Sequence, residues 1–430
     1  MQNKSINPEL FTSNRQRLKS LMLPNSLAVV NSNDIPLTNA DGSLLLPVNS
    51  DLFHLSGVQQ EQSILVFYPD AIEEKYREIL FLREPNALSE IWEGHKLSKD
   101  EARALSGIKT IEWLSNFQPL FHRLMCESEH VYLNSNEHKR AMIETETREA
   151  RFVKDTMSRY PLHDYQRLAR LMHQIRVVKS AGEVALIRKA CQITESGFKR
   201  VLKYVTPGVN EREIEAEFAH EFIRQGGRFA YLPIIGSGKN ACVLHYLENS
   251  ARCSKGELLL LDVAASFSNY NSDLTRTIPV SGKFSRRQKA IYNAVLRVLR
   301  GSIAGLTPGK TVKTWQLEAE QMVEKECVDL GLLSLNAIKR QNTEFPAVKK
   351  YFMHGVGHPI GLDVHDVGFT TEPMQAGWVM TVEPAIYIPD EGIAVRLEND
   401  VLLTENGPVD LMENIPIEID EIESLMNTKN

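Results

Sequence analysis

Cysteine is scarce: Cys126, Cys191, Cys242, Cys253 and Cys327 are odd in number, scattered along 430 residues and nowhere in a CxxC pair. A disulfide framework needs an even, regularly spaced set, and the pattern fits reduced, small apolar side chains of a cytosolic protein. No stretch approaches the roughly 18 consecutive apolar residues of a membrane span. The N-terminus, MQNKSINPELF, lacks the apolar core of a secretory signal. These absences lead to the expectation of a cytoplasmic protein with no membrane partner. No long basic run is present, and a formal net charge of -6 offers no electrostatic footing for nucleic acid or an anionic membrane. What is present is ordinary for a globular chain: 43% hydrophobic and 24% charged, long enough for two or three domains with sizeable cores.

The first part alternates apolar runs with helical patterns. Residues 26–30, 51–55, 63–68 and 78–82 read as strands of an α/β domain without obvious catalytic residues. From 144 to 174 the chain is highly charged and helical with a break at Pro161, as expected of a connecting linker. The boundary is placed at 174, giving an N-terminal domain over 1–174 and a C-terminal one over 175–430.

The C-terminal part carries an internal repeat. Thr206-Pro207-Gly208 and Thr307-Pro308-Gly309 each punctuate two helical patterns. In the helix after the first, Asn210 and Glu213 stand at capping-box positions, Ile214, Phe218 and Phe222 form an apolar stripe, and His220 falls on the polar side. Each helix pair is followed by a glycine and, six positions later, an acidic residue ending an apolar strand: Gly256 to Asp262 in GELLLLD, Gly377 to Glu383 in GWVMTVE. A second acidic residue lies downstream and a histidine upstream in both halves. One such pattern is commonplace, whereas two in register place a site where the halves meet.

Asp262, Asp273, His358, Glu383 and Glu398 form the resulting donor set. Four crowded carboxylates raise one another's pKa until some protonate, unless cations balance them. An oxygen-rich set with one imidazole and no thiolate suits two hard or borderline divalent ions such as Mn²⁺, Co²⁺ or Zn²⁺. Two such ions about 3.5–4 Å apart, sharing an activated water, point to hydrolysis. The GSGKN stretch at 236–240 lacks P-loop spacing and reads as a turn before a strand carrying His245. His54, His95, His122, His130, His138, His163 and His173 read as structural.

The segment HGVGHPIGLDVHDVG, 354–368, resembles the signature of the Xaa-Pro peptidases, the creatinase, prolidase and aminopeptidase P family of metallopeptidases. LHYLENS, LLLDVAASFSNYNSDLTRT, TVEPAIYI and GIAVRLENDV resemble its other blocks in the family's order. PVNSDLFHLSGV and LREPNALSEIWEGHKLS resemble the N-terminal domain that accompanies aminopeptidase P. The resemblance implies a C-terminal "pita-bread" fold, two pseudo-symmetric α/β halves around a curved antiparallel sheet. It also implies cleavage of an N-terminal Xaa-Pro bond by a metal-bridging hydroxide, with prolidase-type dipeptide cleavage, or a binding protein that has lost catalysis, as alternatives. All five ligand positions of the motif are filled.

Carried over residue by residue, the resemblance makes Glu383 both ligand and general base or acid. It places His245, His354 and His365 in the pocket, His245 and His365 near the substrate and its oxyanion, with Tyr387 a hydrogen-bonding partner and Arg396 a nearby cation. Trp92 matches an aromatic residue that a neighbouring subunit lends to the pocket; a core or surface tryptophan is the other reading. A homodimer or homotetramer and peptides with proline in second position are therefore the expected partners. Xaa-Pro is a tertiary amide without the N–H that ordinary peptidases bind, so a shallow apolar pocket suits it. Pro359, Ala385 and Asn399 depart from the family's usual residues, which bears on pocket shape and proline preference but removes no ligand.

Overall fold

The computed structural model describes residues 6–44, 46–342, 344–368 and 371–428. Two compact units divide the chain, Met1–Arg176 and Val177–Asn430. The first runs α1 (Glu9–Lys19), β1 (Ser26–Asn31), α2 (Ser50–Ser56), β2 (Ile64–Phe67), β3 (Glu78–Leu82), α3 (Ala87–Glu93), α4 (Lys99–Ser106), β4 (Thr110–Trp113), α5 (Phe117–Glu127), β5 (His130–Leu133), α6 (Arg148–Arg159), β6 (Asp164–Arg167) and α7 (Leu168–Val177). Its strands form one mixed sheet in the order β4-β3-β2-β1-β5-β6. Alternate side chains of a strand face opposite ways. Ala28 and Val30 of β1 therefore join Leu52 and Leu55 of α2, Ala102 of α4 and Met172 of α7, while Leu27 and Val29 join Phe117, Phe121 and Leu124 of α5. Burial on both faces gives a helix–sheet–helix sandwich.

Two expectations are corrected here. Residues 51–55, read as a strand, lie in α2, because the Asn49 side chain caps Asp51 N–H and Leu52 N–H and Gly57 ends the helix at φ 70°. The segment 144–174, read as a helical linker, contains β6, which pairs parallel with β5 and completes the sheet. The charge misled: β6 is an edge strand, half exposed, and needs no apolar face.

Glu149, in the first turn of α6, is buried and accepts hydrogen bonds from Asn31 N–H at 2.8 Å and Asn31 Nδ2 at 2.9 Å. Burial pushes its carboxyl up to about 7, the Asn31 bonds opposing. An acid whose folded pKa is raised binds its proton more tightly folded than unfolded, so stability falls as pH climbs from about 4.3 to 7 and stays reduced above. The Glu149→Gln variant is expected to gain on the wild type by about 2–3 kcal/mol between pH 5 and pH 8, read from urea unfolding at both. An equal offset at the two pH values would contradict this.

The second unit runs α8 (Ala181–Tyr204), α9 (Glu211–Arg224), β7 (Arg228–Phe229), β8 (Ile234–Ser237), β9 (Leu258–Asp262), β10 (Ala265–Phe267), β11 (Tyr270–Asn271), β12 (Thr275–Pro279), α10 (Arg286–Ala304), α11 (Val312–Asp329), α12 (Leu335–Lys339), β13 (Val379–Val382), β14 (Ala385–Ile388), β15 (Ile393–Arg396), β16 (Asn399–Thr404), β17 (Gly407–Asp410) and α13 (Ile419–Asn427). The repeat is visible in its backbone. Gly208 N–H meets Cys253 O at 2.8 Å and Gly309 N–H meets Met374 O at 2.8 Å. Gly256 and Gly377 turn at φ 90° and 91°, a left-handed conformation that glycine alone adopts cheaply. After those turns β9 pairs antiparallel with β12, and β13 with β16. The Asn210–Glu213 capping box forms as expected, and His220 is exposed.

The two halves are joined through the buried Arg276, which donates to Thr275 O, Glu398 O, Pro416 O and Asn399 Oδ1. Asn399 in turn donates to Asp410 Oδ2 at 2.6 Å. An amide here is both acceptor and donor, which explains how this chain accommodates Asn399.

Candidate metal centre and active site

Each half delivers its acids from a strand end. Asp262 is the last residue of β9 and Asp273 lies two before β12; Glu383 follows β13 and Glu398 precedes β16. His358 comes from the loop ahead of β13, fixed by His358 N–H to Thr381 Oγ1 at 3.1 Å and Thr381 N–H to His358 O at 2.8 Å. Ligand atoms of Asp273, His358 and Glu398 all lie within 4.8 Å of one another, and all three residues are buried. Glu383 Oε1 is 3.9 Å from His358 Nε2, and Asp273 Oδ2 is 3.6 Å from it. Asp262 reaches the group through Tyr231, whose hydroxyl sits 2.6 Å from both Asp262 Oδ1 and Asp273 Oδ1.

The electrostatics of this cluster call for a positive charge. Burial raises the carboxyls of Asp262 and Glu398 and lifts Glu383 to about 7, and the neighbouring acids add to each shift. His358 Nδ1 is 3.0 Å from Pro359 O, a pure acceptor, so Nδ1 carries the hydrogen and the Nε2 position faces the acids. Although burial lowers the His358 pKa, Asp273 and Glu383 outweigh it and raise it. Nε2 thus faces two acids and takes either a proton or a cation there. The donors fit divalent ions: four carboxylates and one imidazole, no thiolate.

A second layer of bonds orients the set. Arg396 donates to Asp262 Oδ2 at 2.5 Å, Tyr387 OH at 2.7 Å and Thr275 Oγ1 at 3.1 Å, and Thr275 Oγ1 donates to Glu398 Oε2 at 2.6 Å. Tyr387 OH is 2.9 Å from His354 Nε2, while His354 Nδ1 is 2.8 Å from Gly355 O. The chain Arg396 to Tyr387 to His354 assigns the His354 hydrogen to Nδ1. Burial, then Arg396, hold His354 down at about 3, so the ring is neutral. His354 Nδ1 also lies 3.7 Å from Glu383 Oε2.

His365 is exposed and stacks on His358, ring centres 4.0 Å apart and 20° from parallel. His245 is exposed and close enough to lower His354 electrostatically. It lies in a turn after the short 3-10 helix Gly238–Cys242, which corrects the expectation of a strand. Trp92 is 80% exposed on α3 of the other unit. Of the departures, Ala385 is buried in β14, and Pro359 makes an isolated bridge to Met380. Sequence reasoning missed Tyr231, Thr275 and Asp400, whose Oδ2 accepts Asp273 N–H at 3.0 Å. Asp400 stands two residues after Glu398, a faint signal, and Tyr231 carries none.

Comparison with known proteins agrees with this geometry. Residues 185–405 match the model of metallopeptidase family M24, and residues 11–132 match the aminopeptidase P N-terminal domain. The chain is 31% identical to the Xaa-Pro aminopeptidase of Escherichia coli, covering 98% of each, and 32% identical to that of Haemophilus influenzae, covering 97% of each. The structure of E. coli aminopeptidase P with the inhibitor Pro-Leu superposes with a TM-score of 0.87 at 31% identity, over 98% of both chains. Among the described residues no helix is long and apolar enough to cross a membrane. With two family models and full-length relatives in agreement, this chain belongs to metallopeptidase family M24, in its aminopeptidase P branch, and has that family's pita-bread fold.

Proposed function

We propose that the chain is a metal-dependent aminopeptidase that hydrolyses the bond between an N-terminal residue and a following proline. The observation that carries this is the buried cluster of Asp273, His358 and Glu398, in a chain alike over its full length to Xaa-Pro aminopeptidases. Asp262, Asp273, His358, Glu383 and Glu398 would hold two divalent ions, manganese in our reading, which supply Lewis acidity and an acidified water. Glu383 takes a proton from the attacking water and returns it to the proline nitrogen, which must be protonated to leave as an amine.

His245 and His365 donate to the substrate and to the oxyanion that develops on its carbonyl. His354, held neutral and aligned by Tyr387, lines the same pocket, and Arg396 keeps Tyr387 and Asp262 in place. The catalytic domain is taken as 175–430 and the N-terminal one as 1–174, whose Trp92 closes a neighbouring subunit's pocket in a homodimer or homotetramer. Exposed Leu88, Ile91 and Trp92 on α3 support such an interface. Five free cysteines favour a reducing cytoplasm.

Metal-stripped protein given Mn²⁺ is expected to cleave Xaa-Pro-Yaa-Zaa and to leave Xaa-Pro and Xaa-Ala-Yaa-Zaa largely intact. Preference for the dipeptide would make it a prolidase; no metal-dependent cleavage of either proline peptide would leave a binding protein.

A further inference from the structure

Lys179 and Asp366 make a buried ion pair at 3.0 Å, each side chain 1% exposed. None of the roles assigned above uses either residue. Charges removed so fully from water are costly unless the geometry around them has a purpose or compensates them well. Their setting is a loop that leaves the metal-ligand candidate His358 and returns to His365. Asp366 N–H closes the loop onto Pro359 O at 2.9 Å, and Asp366 Oδ1 accepts Val367 N–H at 2.9 Å. Asn271 Nδ2 reaches Gly361 O at 3.1 Å and Leu362 O at 3.0 Å. A Cβ on Gly361 would stand 2.3 Å from Asp366 Oδ2 and 2.9 Å from Lys179 Cε, so the pair is packed against bare backbone. At the other partner, Lys179 N–H is bonded to Gly377 O at 2.8 Å, at the turn that launches β13.

Asp366 is thus tied to both ends of the apparatus. It is the neighbour of His365, and through Lys179 it is anchored to the turn before the strand that leads to Glu383. His365 itself is exposed, with its ring stacked on His358. Resting on the reading of His365 as a substrate-facing group, we propose that the Lys179–Asp366 pair is a positioning device that fixes the return of the loop so that His365 stays stacked over His358.

Two variants test this: Asp366→Asn, which keeps shape and removes the charge, and the double change Lys179→Met with Asp366→Leu, which replaces the pair by apolar groups and avoids a lone buried charge. Each is expected to lower kcat on an Xaa-Pro peptide about tenfold, with KM little changed. In a His365→Ala background the same changes should cost less than about twofold, because residues acting through one another are not additive. An equal factor in both backgrounds, or wild-type kcat, overturns the proposal. The histidine ring signals of labelled protein give a readout independent of turnover, with His365 assigned by its loss in His365→Ala. Its signal should move in either pair variant, and an unmoved signal overturns the proposal. Should the wild type cleave no proline peptide at all, the functional reading fails while the ring signal still decides the role of the pair.

Discussion

Replacing Glu383 by alanine is expected to lower kcat on an Xaa-Pro peptide by about 10²–10⁴-fold, the usual value of a positioned acid or base. Alanine also removes a ligand candidate, so the two roles need separating. Glu383→Gln keeps a carbonyl oxygen toward His358 but can neither take nor give a proton at neutral pH. The glutamine variant should therefore retain two metal ions per chain by elemental analysis and still fall as far in kcat. Full activity in Glu383→Gln at saturating manganese would remove the base assignment and leave Glu383 a ligand only. Geometry favours the dual role: one oxygen faces His358 Nε2 and the other faces His354 Nδ1. It is also the member of the acidic set that burial brings to about 7. Cations would lower that value by Coulomb attraction, which is why the test is run on loaded protein.

Much of this site could be read before any coordinates, because its parts are repeated. A glycine turn, an apolar strand and a terminal acid recur in two halves, and Gly256 and Gly377 turn at nearly the same φ, 90° and 91°. A capping box made one helix start legible for a similar reason: Asn210 and Glu213 are three residues apart and satisfy each other locally. What escaped is what sequence distance hides. Tyr231 meets Asp262 across 31 residues and Asp273 across 42, and nothing local marks its hydroxyl. Lys179 and Asp366 each look like a solvated charge until the fold buries them together. The misread strand at 51–55 was short, with Leu52, Phe53 and Leu55 its only apolar residues, too few for periodicity to discriminate, and its caps at Asn49 and Gly57 settle it as helix. In β6 the error was the reverse: a polar edge strand carries no alternation to read.

The two glycines of HGVGH, Gly355 and Gly357, are equivalent in the sequence and opposite in the structure. A Cβ on Gly357 would stand 1.9 Å from Thr381 O, 2.8 Å from Thr381 C and 3.0 Å from the ring of Trp315. Neither neighbour can yield. Thr381 is in β13, paired to Asp400 of β16, and Trp315 is buried with its indole N–H on Ser302 O at 2.8 Å. The same Thr381 holds His358 by two hydrogen bonds, so a chain pushed away from β13 loses both and carries Nε2 away from the acids. A Cβ on Gly355 meets nothing closer than 3.8 Å. Gly357→Ala is therefore expected to cost more than about 4 kcal/mol in stability, the range reserved for severe overpacking, and to lose manganese binding in titration. Gly355→Ala should stay within about 0.5 kcal/mol of the wild type and bind manganese normally. If the two variants behaved alike in urea unfolding and in metal titration, the close approach of residue 357 to β13 would not be what seats His358.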